Sequence, residues 1–170
     1  MSHNAINVLF VCTHNSIRSI LAEAILNHIG CGKFKAYSAG SSPSYNQQPN
    51  PLGLQALKNS GIAVDGLRSK LWDVFGRMDA PRMDLVITVC DNAASELGPY
   101  WPGQPATAHW GFLGPCAGDP MSAEGIRHTL AALKSRIELL ISLPADRPGK
   151  TALQGRARDL ANAHALQMSV

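Results

Sequence analysis

The chain has 170 residues, 45% of them hydrophobic and 16% charged, and a net charge of +3. That size buries roughly 70% of the unfolded surface, so folding requires neither disulfide nor metal, and the composition excludes a disordered chain. No apolar run approaches the roughly 18 residues of a membrane span, no signal peptide opens the chain, and no basic stripe or aromatic stack invites nucleic acid, so a cytoplasmic protein is expected.

Asn7 to Cys12 (NVLFVC) is a short continuous apolar run, the pattern of a strand covered on both faces. Ser19 to Ile29 has helical spacing, with Ile20, Leu21, Ala24, Ile25 and Ile29 on one face, and Gly30 and Gly32 stop it. A second strand is expected at Ala36 to Ala39, before a Gly/Ser/Pro-rich loop that runs to Pro51. Leu52 to Ser60 reads as a helix with Pro51 in its first turn and Gly61 beyond its end. Leu67 to Met78 is mixed. Asp84 to Val89 (DLVITV) is a further strand, Asp91 to Leu97 a short helix, and Ala108 to Phe112 a last strand. Glu124 to Leu143 is the longest helix, with Ile126, Leu130, Leu133, Ile137 and Leu140 along one stripe and Pro144 after it. Strands alternating with helices imply an α/β fold, a parallel sheet with helices on both faces. The division is a domain over 1–143 and a C-terminal appendage over 144–170, in which Ala152 to Leu166 forms a loose amphipathic helix.

Four cysteines stand at Cys12, Cys31, Cys90 and Cys116. None forms a CxxC pair, and the six histidines show no ligand spacing, so no metal site is expected. The first strand ends in Cys12-Thr13-His14-Asn15-Ser16-Ile17-Arg18-Ser19, and a helix follows at once. Residues 13–19 between a strand end and a helix can curl into a cradle of inward backbone N–H groups, backed by the helix dipole, that binds a tetrahedral oxyanion. A thiol at that mouth loses its proton easily. Arg18 supplies a planar fork for two oxygens of the anion, Ser19 can donate to the thiolate, and Asn15 tolerates a left-handed backbone. The plain alternative is a buried strand-end thiol beside a surface arginine. It is weakened by the strand–loop–helix placement and by the serine after Arg18.

This run resembles the Cys-x5-Arg-Ser signature of the low-molecular-weight protein tyrosine phosphatase fold. More narrowly, the chain is similar to the arsenate reductases built on that fold. The narrower likeness rests on VLFVCTHNSIRS, AEAILNHI, YSAGS, NPLGLQAL, the Leu67-Arg68-Ser69-Lys70 segment, DLVITVCDNA and TAHWGF, in that order. It implies a three-layer α/β sandwich around a four-stranded parallel sheet. The implied reaction converts arsenate to arsenite, with phosphate or sulfate as substrate mimics. Cys12 is the nucleophile and Arg18 with the 13–19 backbone is the oxyanion site. Cys90, at the end of the DLVITV strand where phosphatases of the fold carry no thiol, resolves the adduct by forming a Cys12–Cys90 disulfide.

The likeness departs from the family pattern at three places. The thioredoxin-linked reductases carry a third cysteine a short way beyond the second, where this chain has Gly98. The relay is then either shortened or served by Cys116 as a shuttle thiol, and glutathione with glutaredoxin is favoured over thioredoxin as the external reductant, with no tightly bound cofactor. The family's general acid aligns either with Asp119 of Asp119-Pro120 or, by spacing, with Gly114-Pro115, which would mean that no acid remains. Finally, Asn15, Glu23 and Ser38 match three ligands of a potassium ion, and the fourth place is Lys70, whose ammonium can replace the ion. The rival readings are a phosphatase acting on phosphotyrosine or a small phosphate ester, and a non-catalytic oxyanion-binding module.

Overall fold

The computed structural model describes residues 5–90, 93, 94, 98, 99, 101–111, 122–142 and 149–167, the last six as helical backbone alone. Cys116, Asp119, Gly114-Pro115 and most of the expected helix over 91–97 lie outside the described residues.

Four strands form one parallel sheet: β1 (Ile6–Cys12), β2 (Phe34–Gly40), β3 (Leu85–Thr88) and β4 (Ala106–His109), in the order β2-β1-β3-β4. The helices are α1 (Arg18–Ile29), α2 (Pro51–Asn59), α3 (Ala123–Ile141) and α4 (Lys150–Gln167), with a 3-10 turn at Trp72–Gly76. The last strand begins two residues earlier than its sequence suggests and ends at His109. Its register explains the difference, because Ala106 N–H is already held by the Asp84 carbonyl at 3.0 Å, and Leu85 pairs with Ala106.

β1 is apolar from Val8 to Cys12 because it runs through the middle of the sheet. Val8, Leu9, Phe10 and Val11 have no exposed surface, and each such side chain contributes about 1.5–3 kcal/mol by burial. Phe10 faces Trp110 at 6.1 Å between ring centroids, and Trp110 in turn lies under Arg136 of α3. The other face carries Tyr37, packed edge-on against Phe75, and is roofed by the 3-10 turn. α1, α2 and α3 pack against one another. Local capping sets two of these helices: Asn50 Oδ1 accepts from Leu52 N–H ahead of Pro51, and Ser122 Oγ accepts from Gly125 N–H.

The sheet order places the chemistry. From β1 the chain turns outward to β2, and from β3 it turns the opposite way to β4. The carboxyl ends of β1 and β3 therefore border the crevice where the winding reverses, the usual ligand position in an open parallel sheet. Val11 pairs with Thr88, and Val89 N–H donates to the Val11 carbonyl at 2.8 Å. Cys12 and Cys90 thus step off adjacent positions of one ladder.

Candidate active site

The loop between β1 and α1 wraps around the Cys12 sulfur. Asn15 takes the left-handed conformation (φ 55°), which turns its N–H back to Cys12 Sγ at 3.2 Å. Ser19, in the first turn of α1, sets its hydroxyl 2.9 Å from the same sulfur. The direction of that bond follows from its neighbours. Lys70 N–H donates to Asn15 Oδ1 at 2.8 Å, which fixes the amide so that Nδ2 faces inward. Nδ2 then donates to Ser19 Oγ at 2.7 Å and to Ser38 Oγ at 3.0 Å. With its oxygen occupied by that donor, the Ser19 proton points to the sulfur. Ser38 Oγ donates to Glu23 Oε1 at 2.9 Å, and Lys70 Nζ stands 3.7 Å from that oxygen.

Asn15, Ser19 and Ser38 have no exposed surface and Glu23 is nearly enclosed. Burial pushes the Glu23 carboxyl up, against the pull of the Lys70 charge and the Ser38 hydroxyl. Burial likewise pushes the Lys70 ammonium down, against the pull of Glu23. The Lys70 head also donates to the Arg68 carbonyl at 2.8 Å, so it is held in place.

The Cys12 thiol departs from the sequence expectation. Burial pushes it up, and the nearby Cys90 adds to that; the Ser19 hydroxyl and the N–H groups of Ser19 and Asn15 pull it down without overcoming burial. The desolvation of a strand-end sulfur at the floor of the loop outweighs the donors around it.

Arg18 opens α1, is buried, and donates through Nη1 to the Val89 carbonyl at 3.3 Å, next to Cys90. The Cys90 thiol is buried and lies 3.1 Å from Thr13 Oγ1, so the residue after Cys12 touches the second thiol directly. His14 Nδ1 meets the Ser42 carbonyl at 3.2 Å, the Ser16 carbonyl accepts from Asn50 N–H at 2.9 Å, and Ile17 packs against the core. Cys31 is exposed, just past the end of α1 and away from this cluster.

Several contributors carry no assigned role in the sequence reading. Ser69 Oγ donates to the Asn15 carbonyl at 2.6 Å, clamping the left-handed residue from outside. Ser41 and Ser42 N–H groups bind the Cys12 and Thr13 carbonyls at 2.9 and 2.8 Å. Gly40 lets β2 come this close, since a Cβ there would sit 2.7 Å from the Thr13 carbonyl oxygen. The signal was present in YSAGS and LRSK, but spacing alone cannot show that two distant segments clamp one loop. Among the described residues, no group of three or more His, Cys, Asp or Glu is placed to hold a metal ion.

The family model described as "Low molecular weight phosphotyrosine protein phosphatase" matches residues 7–143, from β1 to just past α3. The chain belongs to that family. Within it, the chain is similar to several proteins named as arsenate reductases, and its fold is shared with a low molecular weight protein tyrosine phosphatase of T. tengcongensis as well. A glutaredoxin arsenate reductase of Synechocystis sp. is 31% identical over 135 residues, covering 79% of this chain and 95% of its own. An arsenate reductase of Bacillus subtilis is 32% identical over 130 residues, covering 76% and 85%. Among solved structures, an arsenate reductase in the phosphate binding state aligns with a TM-score of 0.63 at 30% identity, covering 81% of this chain and 97% of that one. A thioredoxin-dependent arsenate reductase of Corynebacterium glutamicum aligns with a TM-score of 0.59 at 25% identity, covering 81% and 61%. For this family member, α4 is an element beyond the matched segment.

Proposed function

We propose that this protein reduces arsenate to arsenite with two of its own cysteines, Cys12 and Cys90. The observation that carries the reading is the second thiol. Cys90 is buried in the crevice at the end of β3, against Thr13, where the loop that cradles Cys12 begins. A phosphatase reaction uses the loop and Cys12 but has no use for that thiol.

Arsenate occupies the 13–19 loop, its oxygens on the backbone N–H groups and on the Arg18 guanidinium. Cys12 attacks arsenic, a sulfur–arsenic bond forms, and one arsenate oxygen leaves as water, with Asp119 as the acid that protonates it. Ser19, oriented by Asn15, stabilises the Cys12 thiolate at its attack on arsenic and again when Cys12 leaves as a thiolate on reduction of the disulfide. Cys90 then attacks Cys12 Sγ. The Cys12–Cys90 disulfide forms, the sulfur–arsenic bond breaks with its electron pair passing to arsenic, and arsenite leaves. Arsenate and two thiols become arsenite, one disulfide and water, a two-electron exchange.

The Lys70 ammonium, 3.7 Å from Glu23, supplies the positive neighbour that the Asn15–Ser38–Glu23 chain requires, so the enzyme needs no potassium. An external thiol system resets the disulfide. Glutathione with glutaredoxin is the favoured one, supported by Gly98 at the place of the third cysteine and by a relative named for glutaredoxin; Cys116 is the thiol that a thioredoxin route would call on. No described helix is long and apolar enough to cross a membrane.

The test is arsenite production by the purified protein, with the glutaredoxin and thioredoxin systems run side by side. Turnover with glutaredoxin is expected. Turnover with thioredoxin alone would move the reset to Cys116. A phosphatase is the second reading, favoured by the family description. Cys90→Ser separates the two, because a phosphatase keeps its turnover in that variant and the reductase stalls.

A further inference from the structure

The face of the sheet opposite Phe10 holds a cavity of about 350 Å³ that the oxyanion chemistry does not use. Its floor is sheet residues, Val11 and Thr88 among them, and its roof is the edge-to-face pair Trp72 and Trp101, with ring centroids 6.2 Å apart. Apolar aromatic walls with a few placed polar groups are the usual make-up of a small-molecule site, and the volume falls in the range such sites show. Three features give this cavity a direction.

The first is charge. Arg158 of α4 lines the cavity and anchors itself by donating through Nε to the Thr107 carbonyl at 3.1 Å. Its terminal nitrogens make no hydrogen bond among the described residues, which leaves a fixed fork for a carboxylate. The second is position. Ala93 and Ala94 form part of the wall, and they belong to the turn that Cys90 opens, with Ala94 N–H on the Cys90 carbonyl at 3.2 Å. The third is space. Gly98 lies against the roof, where a Cβ would come 3.4 Å from Trp72 and 3.6 Å from Trp101, so the missing side chain is part of the cavity. α4 lies outside the segment the family model matches, and so does the arginine it contributes.

We propose that this cavity is the docking site of the small thiol that resets the enzyme, an acidic tripeptide thiol of the glutathione class. A carboxylate rests on Arg158 and the peptide lies under Trp72 and Trp101. The proposal rests on the two-cysteine reductase reading. In the oxidised protein the bound thiolate attacks Cys90 Sγ, the Cys12–Cys90 bond breaks, and Cys12 leaves as a thiolate, giving a mixed disulfide on Cys90. A second thiol of the same class attacks the tripeptide sulfur, Cys90 leaves as a thiolate, and the two tripeptides depart as their disulfide. The attacking thiols give up two protons, and Cys12 and Cys90 recover two.

Two measurements on the full chain test it. Tryptophan fluorescence is titrated with S-methylglutathione, which cannot reduce anything. Wild type is expected to show a saturable change, and Arg158→Gln a dissociation constant roughly ten- to a hundredfold higher, the value of one charge-assisted hydrogen bond. In steady-state turnover, Arg158→Gln and the cavity-filling Gly98→Leu are expected to raise KM for glutathione far more than KM for uncharged β-mercaptoethanol. Arg158→Lys, which keeps the charge, recovers part of the loss. No saturable change in wild type, an unaltered titration in Arg158→Gln, or equal KM shifts for the two thiols overturns the docking site. Failure of the reductase reading has a different signature, wild type that forms no arsenite while the fluorescence titration still responds.

Discussion

Replacing Ser19 by alanine isolates the link between the buried network and the nucleophile. In the wild type its hydroxyl accepts from Asn15 Nδ2 at 2.7 Å and faces Cys12 Sγ at 2.9 Å. A hydrogen bond to a charged partner is worth about 1.5–3 kcal/mol. Its removal therefore raises the Cys12 thiol further above a position that burial has already raised. The rate of Cys12 alkylation by iodoacetamide, followed against pH in a Cys31→Ser background with the modified peptide mapped, reads this midpoint. Stability moves with it. A thiol whose native pKa lies above its unfolded value contributes stability that is complete below the unfolded value and is lost as pH rises through the native one, so Ser19→Ala extends that loss to higher pH. One Asn15 Nδ2 proton also loses its acceptor while the other stays on Ser38 Oγ, which costs about 1–3 kcal/mol at all pH values. A midpoint that stays in place, or falls, refutes the proton direction assigned from Lys70 through Asn15 to Ser19.

Gly40→Ala puts a Cβ 2.7 Å from the Thr13 carbonyl oxygen, so β2 or the loop must shift; urea unfolding is expected to show a loss of about 1–3 kcal/mol together with reduced oxyanion affinity. Lys70→Ala removes the cation beside the buried Glu23 and is expected to cost about 1–3 kcal/mol. Its turnover should recover in potassium chloride but not in choline chloride, while wild type responds to neither. Deleting residues 149–170 strips β4 of its cover: Thr107 loses both Gln154 and Arg158, and the Trp110 indole loses the Ala157 carbonyl at 2.8 Å. The bare edge is expected to drive stronger concentration-dependent association in sedimentation than the full chain undergoes under the same conditions.

Much of this molecule can be read from residue order. The unbroken apolar run of β1 requires a central, doubly covered strand, and Cys-x5-Arg-Ser directly after it requires a loop closed by a helix. Asparagine tolerates the left-handed backbone that a tight loop demands, and Asn15 adopts that conformation (φ 55°). The clamps were not legible. Ser69 and Gly40 act on the loop from far away in sequence, and nothing local marks them until β2 and the 66–71 segment are placed beside it. The raised thiol of Cys12 is hidden from the sequence for a related reason. A sequence shows the donors that lower a pKa, but the depth of burial that raises it is a property of the packed sheet. Arg156 and Arg158 read as a solvated face, and Arg158 is exposed; what spacing does not show is that Arg158 also reaches the edge carbonyl of Thr107 and Arg156 the Leu139 carbonyl near the end of α3 at 3.2 Å.

In the proposed reaction, two cysteines at neighbouring strand ends carry out one reduction between them. A single-turnover mixture of fully reduced protein and arsenate, with no external thiol, tests it directly. One equivalent of arsenite per protein and a Cys12–Cys90 disulfide in the peptide map are expected, both absent in Cys90→Ser. Arsenite formed without that disulfide, or arsenite formed equally by Cys90→Ser, would contradict it.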